Sequence, residues 1–411
     1  MTTNSMLGRC SSLLASPLDP ALERRGLVVV LALAALLRIG LAPVITARLG
    51  YLPDVLTYRT AAGQLLALKP LADPWLMPGY PLLVALSGGG GIGQLLADTA
   101  VALIGIWCVA RIARDLTGNA LSGLLAALLW AIYPFAIFYT VVGLSENLFV
   151  TLFLLGFLAY QRGNFTWGSV AMVAAILTRP AVEIFTPILI VAFALIVHRL
   201  TVRQTFKHLG VFVVVYTVLM APWWWHNYEK YGQFVRLNLA SGMVLYSGNN
   251  PNSDGGGVDV KIAVPGYYDT SDPVKRDRLL RDAAARNIVE NPGRFLELAV
   301  VKFTRLWRPW PYAREYSSFF ISAVSAAAYL PVLVLAIAGG VMGLRRRDLK
   351  LVPIVLFIGF LTAVHMATIG SLRYRFPMEP FLVILAASPL ASIVRRLVGP
   401  WATKSSVGGV L

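Results

Sequence analysis

The sequence predicts an all-α polytopic membrane protein. Of its 411 residues 57% are hydrophobic, only 14% are charged, and the apolar residues fall in long blocks. A soluble domain averages about 25% charged residues. The blocks run to about 18–24 residues, the length a helix needs to cross roughly 30 Å of hydrocarbon at about 1.5 Å per residue.

About ten such segments follow one another. They lie at 26–46, 92–112, 119–138, 145–161, 165–180, 182–198, 208–225, 318–343, 351–369 and 378–397. The first is too long for a signal peptide and is followed by further spans, so it is expected to be retained. The chain thus divides into an N-terminal transmembrane module (1–225) with a first outer loop (47–91), a large outer loop (226–317), and a C-terminal transmembrane module (318–411).

The net charge of +16 is distributed as a membrane protein distributes it, not as a nucleic-acid binder does. Arg24 and Arg25, Arg111 and Arg114, Arg162, Arg199, Arg203 and Lys207, Arg345 to Arg347 and Lys350, and Arg395, Arg396 and Lys404 flank the segments. With ten spans all these clusters fall on one side, which is then the cytoplasm. Cys10 lies in the N-terminal tail and Cys108 in an apolar block, so neither a disulfide framework nor a metal cluster is expected.

The remaining polar material gathers on the other side: the first outer loop, the tips "GLSE" (143–146) and "LTRPAVE" (177–183), the large outer loop, and "GSLRYRFPMEP" (370–380). Within the large loop "SGNNPNSDGGGVDV" (247–260) reads as turns. Residues 272–310 read as two amphipathic helices broken at Asn291-Pro292-Gly293, with Pro292 opening the second. Such helices lie in the interface, here with Trp307 and Trp310 toward lipid and Arg or Lys toward headgroups. Trp75 and the "MPGYP" turn (77–81) seat the first loop at the same boundary. No internal repeat is present.

Several outer-face residues suit chemistry. Asp54 is the first acid of the outer loop, and a carboxylate at a partly desolvated boundary suits a general base; a solvated helix-end acid is the plainer alternative. Tyr58 follows one helical turn later. Glu146 either complements the helix dipole behind a Ser145 cap or is a second acid facing the same space. Arg373 and Arg375 flank Tyr374 in "SLRYRFP", and two guanidiniums at the lipid boundary match a phosphate; interfacial anchoring by Arg and Tyr is the alternative. Arg179 in "LTRP" needs a partner or a route to water, and His365 sits near the outer end of its span. No Gly-rich phosphate loop, zinc spacing or Ser-His-Asp arrangement stands out.

In order, "PDVLTYRTAAGQLL", "MPGYPLLVAL", "GLSENLFV", "LTRP", "APWWWHNYEKYGQFVRLNLASGMVLYSGNNP", "NPGRFLELAVVKFTRLW" and "LRYRFPMEPFLVILAA" resemble the bacterial GT-C membrane glycosyltransferases of the protein mannosyltransferase and aminoarabinose transferase type. The resemblance covers nearly the whole chain. It implies a GT-C-type helical bundle with juxtamembrane helices in the first outer loop. It implies a sugar donor linked to polyprenyl phosphate, a glycan, lipid or protein acceptor, and a site facing outward from a bacterial plasma membrane. Asp54 would activate the acceptor hydroxyl, with inversion at the anomeric carbon. Arg373 and Arg375, then Arg179 and His365, would steady the leaving phosphate, with Tyr58, Glu146, Asn249 and Tyr374 as further substrate contacts. Val55 stands where many relatives carry a second acid, so the resemblance firmly implies no cofactor, and a divalent metal is an open but not favoured alternative.

Two other classes compete: a transporter or flippase of lipid-linked sugars, and a non-catalytic envelope-assembly protein. Transport pathways place ionisable residues near span middles. Charge is expected to avoid the middles here, which favours the transferase.

Overall fold

The computed structural model describes residues 19–49, 52–257, 260–312 and 318–407, whose regular elements are helices, with no strand among them. Cys10 lies outside the described residues; Cys108 is buried and unpaired. The helices are α1 (Pro20–Leu49), α2 (Pro53–Leu66), α3 (Gly79–Leu86), α4 (Gly91–Thr117), α5 (Ala120–Ile132), α6 (Pro134–Val142), α7 (Ser145–Gln161) and α8 (Phe165–Thr178). They continue as α9 (Phe185–Val191), α10 (Val202–Tyr231), α11 (Ser241–Asn249), α12 (Pro273–Glu290), α13 (Pro292–Trp307), α14 (Phe319–Arg345), α15 (Val352–Ala367), α16 (Leu372–Arg375) and α17 (Glu379–Val407).

Every expected span falls on helix, but not every helix has the length of a span. Among the described residues six are long and apolar enough to cross a bilayer: Pro20–Arg48, Gly91–Thr117, Val202–Tyr231, Phe319–Arg345, Leu349–Ala367 and Leu372–Leu397. A seventh results if α5 and α6, bent by 53°, form one span. The bend has a local cause: Tyr133 precedes Pro134, which holds it extended (φ −67°, ψ 119°) and starts α6 afresh. Helix α7 has 17 residues and α8 has 14. Helix α10 runs past residue 225 to Tyr231, so the outer loop begins later than expected.

The two transmembrane modules share one core. Phe153 of α7 lies 4.3 Å from Phe357 of α15 and 5.8 Å from Phe381 of α17, ring centre to ring centre. Small residues let backbones close up: a Cβ on Gly339 would come 2.0 Å from the Leu385 carbonyl oxygen. At one end of the bundle the basic clusters meet, with Arg114 on Glu23 at 2.7 Å and Arg162 on Asp115 at 2.7 Å.

Arg38 departs from the expected absence of charge in span middles, and Asp98 is buried about two turns into its span. Arg38 is fully buried in α1 and donates to the carbonyls of Ala34 (3.1 Å) and Ala131 (3.0 Å). Asp98 is fully buried in α4, accepting from the Tyr80 hydroxyl (2.7 Å), with Asn147 Nδ2 on its carbonyl (2.8 Å). Both are committed to packing helices together.

The first loop and the large loop lock onto one another and onto the spans. Trp223 Nε1 and Asn227 Nδ2 of α10 donate to the Leu237 carbonyl (2.8 and 3.0 Å), folding the chain after Gly232 back along its own helix. Leu239 N donates to the Pro74 carbonyl (2.8 Å) and Lys230 Nζ to that of Ala72 (2.8 Å), which ties in the first outer loop. Helix α13 turns Leu296, Val300 and Phe303 outward, and Trp310 beyond it is exposed as expected, but Trp307 packs against the core and, while Arg294 stays exposed, Lys302 and Arg305 point inward. Lys302 is buried against Asn249, and Arg305 pairs with Asp254 at 3.0 Å beneath Tyr312. Its helical spacing puts these long side chains on the packing side, where carbonyls and a carboxylate receive them.

Candidate functional site

A cavity of about 1190 Å³ opens at the end of the bundle away from the Arg114–Glu23 and Arg162–Asp115 pairs. Its floor is built by four elements far apart in sequence. In α2, Pro53 takes the first helical position and Asp54 sits in the first turn, where the helix dipole favours an acid. Val55, Tyr58, Ala61 and Ala62 form the buried stripe that fastens α2 and leaves Asp54 on the open side. Glu146 lies in the first turn of α7 and is buried. Arg179 ends α8 because Pro180 follows, which drives it extended (φ −148°, ψ 124°) and aims its side chain at α7. Arg373 stands on the single turn α16, whose first residues are capped by Ser371.

These side chains form one charged network. Arg179 Nη1 donates to Glu146 Oε1 and to Ser145 Oγ, both at 2.9 Å. Arg373 donates through Nε to Glu146 and through Nη1 to Asp54 Oδ2, the latter at 2.5 Å. Glu146 is 1% exposed, whereas Arg179, Arg373 and Asp54 keep 22%, 33% and 45% of their side chains open. One buried carboxylate therefore fixes two guanidiniums whose free edges face the cavity. Tyr58 and Ser145 share a hydrogen bond of 2.9 Å, and burial, with the Glu146 charge second, raises the Tyr58 phenol above its ordinary value. His365 and Tyr374 stack on the wall, centroids 4.5 Å apart.

Asp54, Tyr58, Glu146, Arg179, His365, Arg373 and Tyr374 thus line one hollow. Arg375 and Asn249 do not. Two residues apart on a helix is a rotation of about 200°, so Arg375 faces away from Arg373. It is fully buried, paired with Glu379 at 2.8 Å, donating to the Arg308 carbonyl at 2.6 Å and lying over the Tyr329 ring. Asn249 accepts from Lys302 Nζ (2.8 Å) and donates to the Ala367 carbonyl (2.9 Å), pinning the outer loop to the end of α15. Residues 247–249 belong to α11 and not to the expected turn. Ser145 occupies the first turn of α7 but makes no cap hydrogen bond; its hydroxyl is spent on Tyr58 and Arg179.

Sequence reasoning passed over other parts of the wall. Glu183 lines the cavity, holds Arg236 at 3.1 Å and accepts from the Tyr216 hydroxyl. Its signal was its place four residues after Arg179 on the same outer tip. Asp98 supports the site from behind: the Tyr80 ring that it anchors meets Tyr58 edge-on at 4.8 Å. Its signal was an acid within an apolar block.

Among the described residues no three His, Cys, Asp or Glu side chains gather as a metal-binding set. The two carboxylates of the floor are bridged by Arg373, which puts a cation between them. That arrangement does not suit a divalent ion, which needs several oxygen ligands turned toward itself.

No protein-family model matches the chain, and no curated protein matches it. Solved structures do. The oligosaccharyltransferase of Archaeoglobus fulgidus in its apo form superposes with a TM-score of 0.58 at 14% identity, over 94% of this chain and 52% of that one. The same archaeal enzyme, AglB, in complex with an inhibitory peptide and a dolichol-phosphate gives 0.56 at 14% identity over the same shares. ArnT from Cupriavidus metallidurans bound to undecaprenyl phosphate matches 86% of this chain and 76% of its own at 17% identity, with a TM-score of 0.37, too low to carry an argument. This chain spans about half the length of the oligosaccharyltransferase structures it matches. Over that half the chain shares the all-helical fold of the Archaeoglobus fulgidus oligosaccharyltransferase, and its long apolar helices mark it as a membrane protein.

Proposed function

We propose that the protein is a glycosyltransferase that moves a sugar from a polyprenyl-phosphate donor to an acceptor at the outer face of a bacterial plasma membrane. The observation that carries this reading is the pair of partly open guanidiniums, Arg179 and Arg373, held by one buried Glu146 beside Asp54. Guanidinium forks suit a phosphate, and a neighbouring half-exposed carboxylate suits an acceptor hydroxyl. The neighbours, one solved with dolichol-phosphate, support a lipid-linked donor.

In this reading the donor phosphate takes the open edges of Arg179 and Arg373 and releases Asp54 from Arg373. The acceptor oxygen forms a bond to the anomeric carbon while its proton passes to Asp54. The bond from that carbon to the phosphate oxygen breaks, and polyprenyl phosphate leaves with the electron pair. With one displacement the anomeric centre inverts. Two preorganised cations stabilise the charge as it develops.

A flippase would need no base, and the charges inside the spans give it no path, since Arg38 and Asp98 are tied to packing partners and do not line the cavity. The test is glycan and lipid analysis of a strain lacking the protein. A precursor short by one sugar, restored by the wild-type chain but not by Asp54→Asn, is expected. An unchanged envelope, or full restoration by that variant, would overturn the proposal.

A further inference from the structure

A second, smaller cavity of about 270 Å³ adjoins the first. Asp73, Trp75, Leu239 and Asp277 line both, so the smaller space is an annex of the larger. Its other walls include Tyr267 and Arg276. It lies between the first outer loop and α12, away from the Glu146 floor.

The annex is built, not left over. Trp75 is half exposed, yet its backbone is held on both sides: its N donates to Asp73 Oδ1 (2.7 Å) and its carbonyl accepts from Asn238 Nδ2 (2.6 Å). Arg276 is fixed by the Thr270 carbonyl (2.7 Å) and lies over the Tyr267 ring at 5.3 Å. Asp277 is occupied by Gly242 N (2.6 Å) and by Arg281. That leaves a space with aromatic walls, one carboxylate, Asp73, and one guanidinium.

These walls match a pyranose. A sugar ring has an apolar C–H face that lies well on an aromatic ring and an edge of hydroxyls that needs both donors and acceptors. Aromatic walls with a few placed polar groups are the usual composition of a small-ligand pocket. A phosphate would meet the Asp73 carboxylate, which disfavours an anionic group. The donor's phosphate and tail belong at the arginine floor and the bilayer, so the annex is left to the acceptor.

We propose that the annex is a saccharide-binding subsite that holds a neutral sugar of the acceptor, with the half-exposed Trp75 ring as the stacking wall, Tyr267 as the ring that backs Arg276, and Asp73 and Arg276 on the hydroxyls. The acceptor role rests on the transferase reading above; sugar binding itself does not.

The test uses the full chain in lipid nanodiscs, free of glycoside detergents, and saturation-transfer NMR with methyl glucoside, galactoside and mannoside, with sorbitol as the open-chain control. At least one glycoside should receive saturation and sorbitol none. Trp75→Ala should weaken the glycoside by about fivefold or more, and Trp75→Phe, which keeps a ring, should restore most of it. No transfer to any glycoside, or equal transfer in Trp75→Ala, would overturn the proposal. Displacement of the glycoside by undecaprenyl-phosphate glucose would move the subsite to the donor and overturn the acceptor assignment. Undecaprenyl phosphate binding, measured on the same samples, separates the two readings. A chain that binds the lipid phosphate but no glycoside refutes the annex alone. One that binds the glycoside but no lipid phosphate keeps the sugar site and refutes the transferase.

Discussion

Asp54→Asn should shift lipid-phosphate binding and sugar transfer in opposite directions. In the resting protein Asp54 occupies Arg373 Nη1 at 2.5 Å, with the two side chains 45% and 33% exposed. A pair this open contributes about 0.2–1 kcal/mol, so its loss barely touches the fold. A phosphate arriving at Arg373 must first displace that carboxylate and then sit near its charge. Like charges about 4 Å apart repel by about 1 kcal/mol in bulk water and more where solvent is thinner. Taking the water-rich end, removal of the Asp54 charge favours phosphate binding by about 1–2 kcal/mol, or about 5- to 30-fold in Kd. Transfer, deprived of its base, should fall by about 10²–10⁴-fold. Undecaprenyl phosphate titrated into nanodisc-held protein measures the first quantity, and donor consumption in acceptor-bearing membranes measures the second. Weaker or unchanged binding in the variant would refute the competition between Asp54 and the phosphate for Arg373. Turnover at the wild-type rate would refute the base.

Other residues give sharper contrasts with stability. Glu146→Ala removes the buried carboxylate shared by two partly exposed guanidiniums, one of which keeps Asp54, and should cost about 1.5–3 kcal/mol, read as a lower Tm and lower yield of the detergent-solubilised protein. Arg375→Ala should destabilise by more, about 3–5 kcal/mol, by orphaning the fully buried Glu379, yet leave undecaprenyl phosphate affinity per folded molecule intact, whereas Arg373→Ala should weaken that affinity by tenfold or more. Burial lowers the Lys302 amine from its ordinary 10.5 to about 8. Its charged form is thus penalised in the folded state, fully below about pH 8, and the penalty fades as pH rises from 8 toward 10.5. Amide exchange in α11 and α13, corrected for intrinsic rates, should show protection rising across that window, and Lys302→Met should remove the trend.

Much of this architecture was legible because its signals are local. Apolar block length marks helices, and basic clusters mark one end of the bundle, so the convergence of Asp54, Glu146, Arg179 and Arg373 on the other end followed from topology alone. What was not legible depends on rotation and contact. Arg373 and Arg375 look equivalent in "RYR" until one turn of helix sends them to opposite sides. Lys302 and Arg305 look like headgroup cations until α13 packs with that face inward. The role of Ser145 as a bridge between Tyr58 and Arg179 needs three chain segments in place at once. Arg38 and Asp98 were visible as charges inside apolar blocks, and what hid their meaning was the identity of their partners, a carbonyl of α5 and a tyrosine of the first outer loop.

The central claim is that a lipid-borne phosphate seats on Arg179 and Arg373 within reach of Asp54. A structure of the full chain in lipid with undecaprenyl phosphate bound tests it most directly. Phosphate oxygens should lie about 2.7–2.9 Å from both guanidiniums, with the Asp54 carboxylate released from Arg373 and turned to the open cavity. A phosphate bound elsewhere on the bundle, with the Asp54–Arg373 pair still closed, would contradict it.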